Sequence, residues 1–158
     1  MIRIITFNDI KSTYLYQDAK RHKLLMSDKL KYFGWFDEDK LVAFVGYKII
    51  GNIIILDCDY CLKGYRRKGI YTKLHKHRMN YIKDNEDKEI ARITCTKYSR
   101  GLHKKLGAKL IHTFPVSKWE KYEYQLCYPK PSIRPGCRTA CRLARRRCRA
   151  RSGRIPTR

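Results

Sequence analysis

The sequence predicts an α/β fold, a mixed and mostly antiparallel sheet flanked by helices. Three observations carry this expectation. Residues 30–62, "LKYFGWFDEDKLVAFVGYKIIGNIIILDCDYCL", divide into three strand-like runs at the turn signals "DEDK" and "IGN". Strands joined by such short turns lie antiparallel. Residues 53–95 then read strand, helix, strand, a crossover that brings a loop to the carboxyl end of a central strand, where open α/β sheets bind ligands. The full order is strand, helix, three strands, helix, strand, helix, two strands.

The elements follow along the chain. "IRIITF" (2–7) is a short strand. Asn8 or Asp9 is expected to cap a helix with Ile10, Tyr14, Leu15 and Ala19 at helical spacing and Leu24 and Leu25 at its close. After the three-strand meander comes a helix over about 70–83, with Leu74, Met79 and Ile82 among its apolar positions. "IARITC" (90–95) is a strand, and "KYSRGLHKKLG" (97–107) a short helix ending in a glycine suited to the left-handed residue after a helix. "AKLIHTF" and "WEKYEYQLCY" are two more strands. There is no internal repeat.

Composition separates two segments. Of the 37 Lys and Arg, ten are Arg in residues 132–158, where there is no acid; residues 1–131 hold 27 cations and all 14 acids, a net of +13. The body is rich in Ile, Lys, Asn, Tyr and Phe, whose codons are A/T-rich, and looks like a phage or low-GC bacterial protein. The tail is built of Arg, Ala, Gly and Pro, whose codons are G/C-rich. Two readings of the tail stand side by side: a different nucleotide origin such as a frame change or fusion, and an Arg-rich arm that binds nucleic acid through phosphates. With few apolar residues to bury, it is expected to be disordered.

No run of apolar residues is long enough to span a membrane, and the start "MIRIITFNDI" lacks the apolar core of a signal peptide. The expected compartment is the cytoplasm, or the host cytoplasm if the protein is phage-encoded. Cys58 and Cys61 read C-x-x-C, but three apart in a strand they point to opposite faces and cannot close on one ion, so no metal is expected. Cys95 and Cys127 lie in other strand-like runs, and Cys137, Cys141 and Cys148 in the tail match no familiar zinc spacing.

The stretch that asks for a function is "LKGYRRKGIYTKL" (62–74). Three cations, Arg66, Arg67 and Lys68, run into Gly69 where a loop becomes a helix. The first-turn amides, from Arg67 through Ile70 and Tyr71 to Thr72, have no intrahelical acceptors, and with the helix dipole they form an anion site. Gly69 allows close approach of a ligand to the backbone. On these residues alone the competing reading is a solvated basic face. Neither G-x-x-x-x-G-K-[ST] nor G-x-G-x-x-G is present.

The same residues resemble motif A of the GNAT superfamily of acetyl-CoA-dependent N-acyltransferases, Gln/Arg-x-x-Gly-x-Gly/Ala at a strand end and helix start. "RRKGIY" supplies Arg66 and Gly69, and "TKYSRGLHKKLGAKLI" is similar to the family's second half-motif, Asn-x-x-Ala-x-x-x-Tyr-x-x-x-Gly-Phe. The departures are Tyr71 for the second Gly/Ala, Thr96 for Asn, Ser99 for Ala, Ala108 for Phe, and His103 where the family often places an acid Tyr.

The resemblance implies a transferase domain over residues 1–131 that moves an acetyl group from acetyl-CoA to a primary amine on a small molecule, a protein or a nucleobase. It implies a diphosphate held by the amides of residues 67–72, a pantetheine arm along residues 57–62 that includes Cys61 and Leu62, and contacts from Thr96 and Ser99. Attack by an amine needs a base. Asp57 and Asp59, two apart and so expected on one face, are the candidates. His103, or failing it Tyr98, is the candidate acid. The basic body favours an anionic partner, nucleic acid or an acidic protein. The alternative class is a non-enzymatic nucleic-acid-binding module that uses the basic loop and the tail for backbone phosphates.

Overall fold

The structure, a computed structural model, describes residues 1–117 and 119–126. The tail at 132–158, the boundary at 131, and Cys127, Cys137, Cys141 and Cys148 lie outside the described residues.

Seven strands form one sheet among the described residues. They are β1 (Ile2–Ile5), β2 (Lys31–Asp37), β3 (Lys40–Ile50), β4 (Ile53–Cys61), β5 (Ile90–Cys95), β6 (Lys109–Phe114) and β7 (Trp119–Gln125). Their spatial order is β1-β2-β3-β4-β5-β7-β6, and every neighbouring pair is antiparallel except β4 with β5. Four helices, α1 (Phe7–Lys11), α2 (Tyr14–Arg21), α3 (Ile70–Asn85) and α4 (Arg100–Lys105), flank it. None is long and apolar enough to cross a membrane.

The first helical stretch differs from expectation. It starts at Phe7, because Thr6 rather than Asn8 or Asp9 is the cap: its hydroxyl accepts the Asp9 amide while the Asp9 carboxylate accepts the Thr6 amide. The helix then breaks after Lys11, and Thr13 caps a second one by accepting the Tyr16 amide. A Thr six residues into the chain reads as strand by its β-branching, so the reciprocal cap hid inside an apparent strand. Elsewhere the boundaries fall within three residues of expectation, α4 starting at Arg100 rather than Lys97, and Gly107 takes the left-handed conformation (φ +86°) after α4.

The two faces of the sheet are covered separately. Phe33 and the stacked Tyr47 turn to α3, where His77 and Tyr81 meet Phe33 edge-on. Tyr32 and Tyr60 turn the other way. The Tyr32 hydroxyl donates to the Ser27 carbonyl, and that of Tyr60 to Asp18 on α2.

Two features of β4 open the site. Its parallel pairing with β5 stops at Leu56↔Ile93, so Asp57 to Cys61 lack a β5 partner and the strands part. On its other edge the register with β3 slips between Phe44 and Gly46, with one extra residue on β4 and Cys58 at φ +57°. Gly46 sits opposite the bulge, where a Cβ would lie 2.9 Å from the Asp57 carbonyl oxygen. Close passage of the two backbones demands glycine there.

The bulge corrects one expectation. Asp57 and Asp59 do not share a face, because the extra residue between them reverses the alternation. Asp57 points away from α3, to Lys48 Nζ at 3.3 Å, and Asp59 points towards α3.

Candidate active site

Where β4 leaves β5, a groove of about 680 Å³ runs to the start of α3. Its walls include Asp59, Cys61, Arg66, Gly69, Tyr71 and Ser99. A 3₁₀ turn at Lys63–Tyr65 leads from β4 into the loop, and Gly69, at φ +75°, is the residue before the helix. Arg67 is also left-handed at φ +62°, a strained state for a side-chain-bearing residue. The loop and the first turn of α3 carry a run of main-chain N–H groups. From Arg67 through Thr72 they have no acceptor among the described residues. Among the described residues nothing lies within 4 Å of where a Gly69 Cβ would be, so the approach is open on their side.

The basic side chains of the loop divide their work. Arg66 braces it, donating from Nε to the Cys61 carbonyl (2.9 Å) and lying over the Tyr60 ring. Lys68 rests over the Tyr65 ring, and Tyr65 bonds Asp37. Arg67 lines the groove. Leu62 does not line it: its side chain is buried and its N–H is taken by Val42. Thr96 accepts the amides of Ser99 and Arg100 with its carbonyl and so holds the turn that brings Ser99 to the groove.

Behind the groove lies a polar cluster of which the sequence reading found only part. Arg78, wholly buried on α3, donates to both oxygens of Asp59 (2.5 and 2.9 Å), to the Gly46 carbonyl (2.6 Å) and to His75 Nδ1 (2.8 Å). Tyr71 donates its hydroxyl to Asp59 Oδ2 at 2.7 Å. His103 Nε2 is 3.4 Å from that hydroxyl, and His103 Nδ1 is 2.6 Å from the hydroxyl of Tyr124 on β7. Arg78, His75 and Tyr124 were missed. A signal exists, since Tyr71, His75 and Arg78 fall at i, i+4 and i+7 on one helical face, and an Asp embedded in an apolar strand needs a cation.

Charge states follow from these contacts. Burial would strip the proton from Arg78, but the Asp59 charge and hydrogen bonds outweigh it and the guanidinium stays cationic. Burial, then the Arg78 charge, pushes His75 down to about 2. Burial also lowers His103, to about 4, with Asp59 opposing and Arg78 assisting. Both imidazoles are therefore neutral near pH 7. Burial and the Asp59 charge raise Tyr71 well above the ordinary phenol, so it keeps its proton.

The remaining candidates are scattered. Asp57 accepts from Lys48 and from the Cys58 amide, is about half exposed, and is not part of the groove wall. His103 is buried behind Tyr71 rather than on the wall. Tyr98 stands at the rim, 87 % exposed, with Lys97 over its ring. Cys58 is held by the Leu25 carbonyl on the far face, away from Cys61.

Unpaired amides at a helix start, beside a parted strand edge, suit a ligand that carries a diphosphate at one end and amide groups along an arm. A family model described as acetyltransferase (GNAT) family matches residues 3–108. The chain belongs to the GNAT acetyltransferase family. This GNAT is an acetyl-CoA-dependent N-acetyltransferase, and acetyl-CoA is its cosubstrate.

Solved structures agree on the fold. An N-acetyltransferase from Staphylococcus aureus Mu50 superposes with a TM-score of 0.63 at 17 % identity, over 80 % of this GNAT and 97 % of that chain. The ribosomal-protein-S18-alanine N-acetyltransferase from Escherichia coli gives 0.62 at 11 % identity, over 85 % and 99 %. The PaiA N-acetyltransferase from Thermoplasma acidophilum, in complex with coenzyme A, gives 0.61 at 16 % identity, over 79 % and 98 %. At such identities the likeness concerns the fold alone. No curated protein matches this GNAT by sequence.

Proposed function

We propose that the enzyme holds acetyl-CoA on the amides of residues 67–72 and acetylates a primary amine that reaches the thioester from the opposite side of the β4–β5 opening. The unpartnered run of amides from Arg67 to Thr72 is the observation that carries this reading. Six N–H donors, the positive end of a 16-residue helix and the Arg67 side chain converge where a diphosphate would sit. The unpaired β4 edge at 57–61 offers backbone partners to the arm's amides, as an added strand would find.

When bound, the cosubstrate supplies an acetyl thioester. The protein's own groups must orient it, take a proton from the amine and stabilise the charge on the departing sulfur. Asp59 is poorly suited to the first proton transfer, because Arg78, Tyr71 and the Gly46 amide already occupy its oxygens. Asp57 suits it better, since it is half-exposed and lies on the face away from α3, where the loop after α2 also lies. We therefore assign Asp57 as the base and Asp59 as the anchor of the cluster. His103 is too deep for direct contact with the groove, and no hydrogen bond among the described residues orients the hydroxyl of Tyr98 at the rim.

The net charge of +13 over residues 1–131 favours an acceptor amine on an anionic molecule. Thermal unfolding with and without acetyl-CoA tests the core of the reading. Ligand at a hundredfold excess over Kd adds about 2.7 kcal/mol and a raised midpoint. An unmoved midpoint, together with steeply salt-dependent DNA or RNA binding, would favour the nucleic-acid module instead.

A further inference from the structure

The family's acid position holds a histidine that is buried, neutral and off the groove wall, so another group must serve the departing sulfur. Tyr71 is placed to do so. It replaces a small residue of the family motif, it lines the groove, and its hydroxyl is gripped from two sides.

The directions of that grip can be assigned. Tyr71 has one hydroxyl hydrogen, and Asp59 Oδ2 at 2.7 Å takes it. His103 Nε2, 3.4 Å from the same oxygen, must then be the donor in their contact. That leaves His103 Nδ1 without hydrogen, as acceptor of the Tyr124 hydroxyl at 2.6 Å. The chain runs one way: Tyr124 O–H to His103 Nδ1, His103 Nε2–H to Tyr71 Oη, Tyr71 O–H to Asp59. Each hydrogen has one destination, and the chain ends at the groove.

We propose that Tyr71 is the hydrogen-bond donor that stabilises the thiolate leaving in acetyl transfer, with His103 and Tyr124 as positioning residues for its oxygen. The proposal rests on the cradle reading above. In the step, the amine nitrogen bonds to the acetyl carbon and the carbon–sulfur bond breaks with its electron pair on sulfur. The Tyr71 hydrogen turns from Asp59 to hydrogen-bond the sulfur, which leaves as the thiolate, while Asp57 takes the proton lost by the amine and passes it to solvent. Free coenzyme A and the acetylated amine result, and the side chain is restored.

The test compares the full-length protein with its Tyr71→Phe variant. Coenzyme A should raise the thermal midpoint of both alike, because the amides of the cradle are untouched. Turnover should fall on the order of 10²-fold in the variant, the usual worth of one positioned donor to developing negative charge. The deciding readout is the thiol titration of bound coenzyme A, followed by the ultraviolet absorbance of the thiolate. A hydroxyl aimed at sulfur favours the thiolate and lowers the thiol's pKa in the wild type, and Tyr71→Phe should return it towards the free value. Asp59 on β4, Arg78 and His75 on α3, His103 on α4 and Tyr124 on β7 also face this point, but all remain in the variant, so the difference isolates the hydroxyl. Identical thiol titrations, or undiminished turnover, would overturn the assignment. A bound thiol in the wild type that titrates like free coenzyme A would overturn it without any variant. If coenzyme A moves neither midpoint, the cradle itself fails, and Tyr71 loses its role with it.

Discussion

Arg78 and Asp59 meet in a two-pronged ion pair, Nη1 to Oδ1 at 2.5 Å and Nη2 to Oδ2 at 2.9 Å, with the guanidinium fully buried and the carboxylate only 13 % exposed. The pair ties the bulged strand to the long helix, because the same guanidinium also holds the Gly46 carbonyl beside the bulge. Removing one partner leaves the other charge stranded. Arg78→Met should cost about 3–5 kcal/mol in urea unfolding, and adding Asp59→Ala should recover part of that loss. A loss below about 1 kcal/mol for Arg78→Met would show that water reaches the pair.

Asp57 and Asp59 should separate cleanly under substitution. Asp57→Asn keeps stability near wild type, since its Lys48 contact is exposed, and lowers turnover on the order of 10²-fold. Asp59→Asn unsettles the fold. Steady-state kinetics and unfolding on both variants check this, and full turnover in Asp57→Asn would remove it as the base.

Acid should weaken the protein early. His75 and His103 are held down to about 2 and about 4, whereas in the unfolded chain both take a proton near 6.5. Below that pH the unfolded state binds more protons, so stability declines as the pH falls from about 6.5 towards about 4. Near pH 5 the slope approaches two protons, ~2.7 kcal/mol per pH unit. His103→Gln should remove about one of the two. Flat stability between pH 7 and 5 would mean that the imidazoles titrate freely inside.

The strained loop gives a fourth expectation. Gly69→Ala puts a side chain at φ +75°, which costs about 1–2 kcal/mol, and it crowds the cradle. Arg67→Gly does the reverse for strain at φ +62° while removing a charge that faces the groove. Its stability should change by less than about 1 kcal/mol, because relief of strain offsets the added freedom of the unfolded chain. Coenzyme A should bind roughly tenfold more weakly, as for loss of one charged contact. Calorimetric titration decides, and unchanged affinity would mean that Arg67 does not face the diphosphate.

Much of this architecture was written in local pattern. The meander, the crossover and Gly69 are signalled by turn residues and helix periodicity, which depend on neighbours in sequence. The reversal of Asp57 against Asp59 was not, because a bulge adds a residue without a sequence mark, and Cys58 is not a residue type that announces a left-handed backbone. The cluster around Tyr71 was hidden for another reason. Arg78 and His75 look like the solvated face of a Lys-rich helix, and only packing against Asp59, His103 and Tyr124 makes that face the inside. His103 was singled out by position in a motif, but it is enclosed by the rings of Tyr71 and His75 from α3 and of Tyr122 and Tyr124 from β7, contributed from beyond its own helix.

On the proposed reading, main-chain amides just after the basic loop grip the diphosphate of the cosubstrate. Titrating the ¹⁵N-labelled protein with coenzyme A and following its amide resonances tests this most directly. Saturable shifts concentrated at residues 67–72, with smaller ones along 57–61, are expected. Saturable binding that leaves the amides of 67–72 unmoved would contradict it.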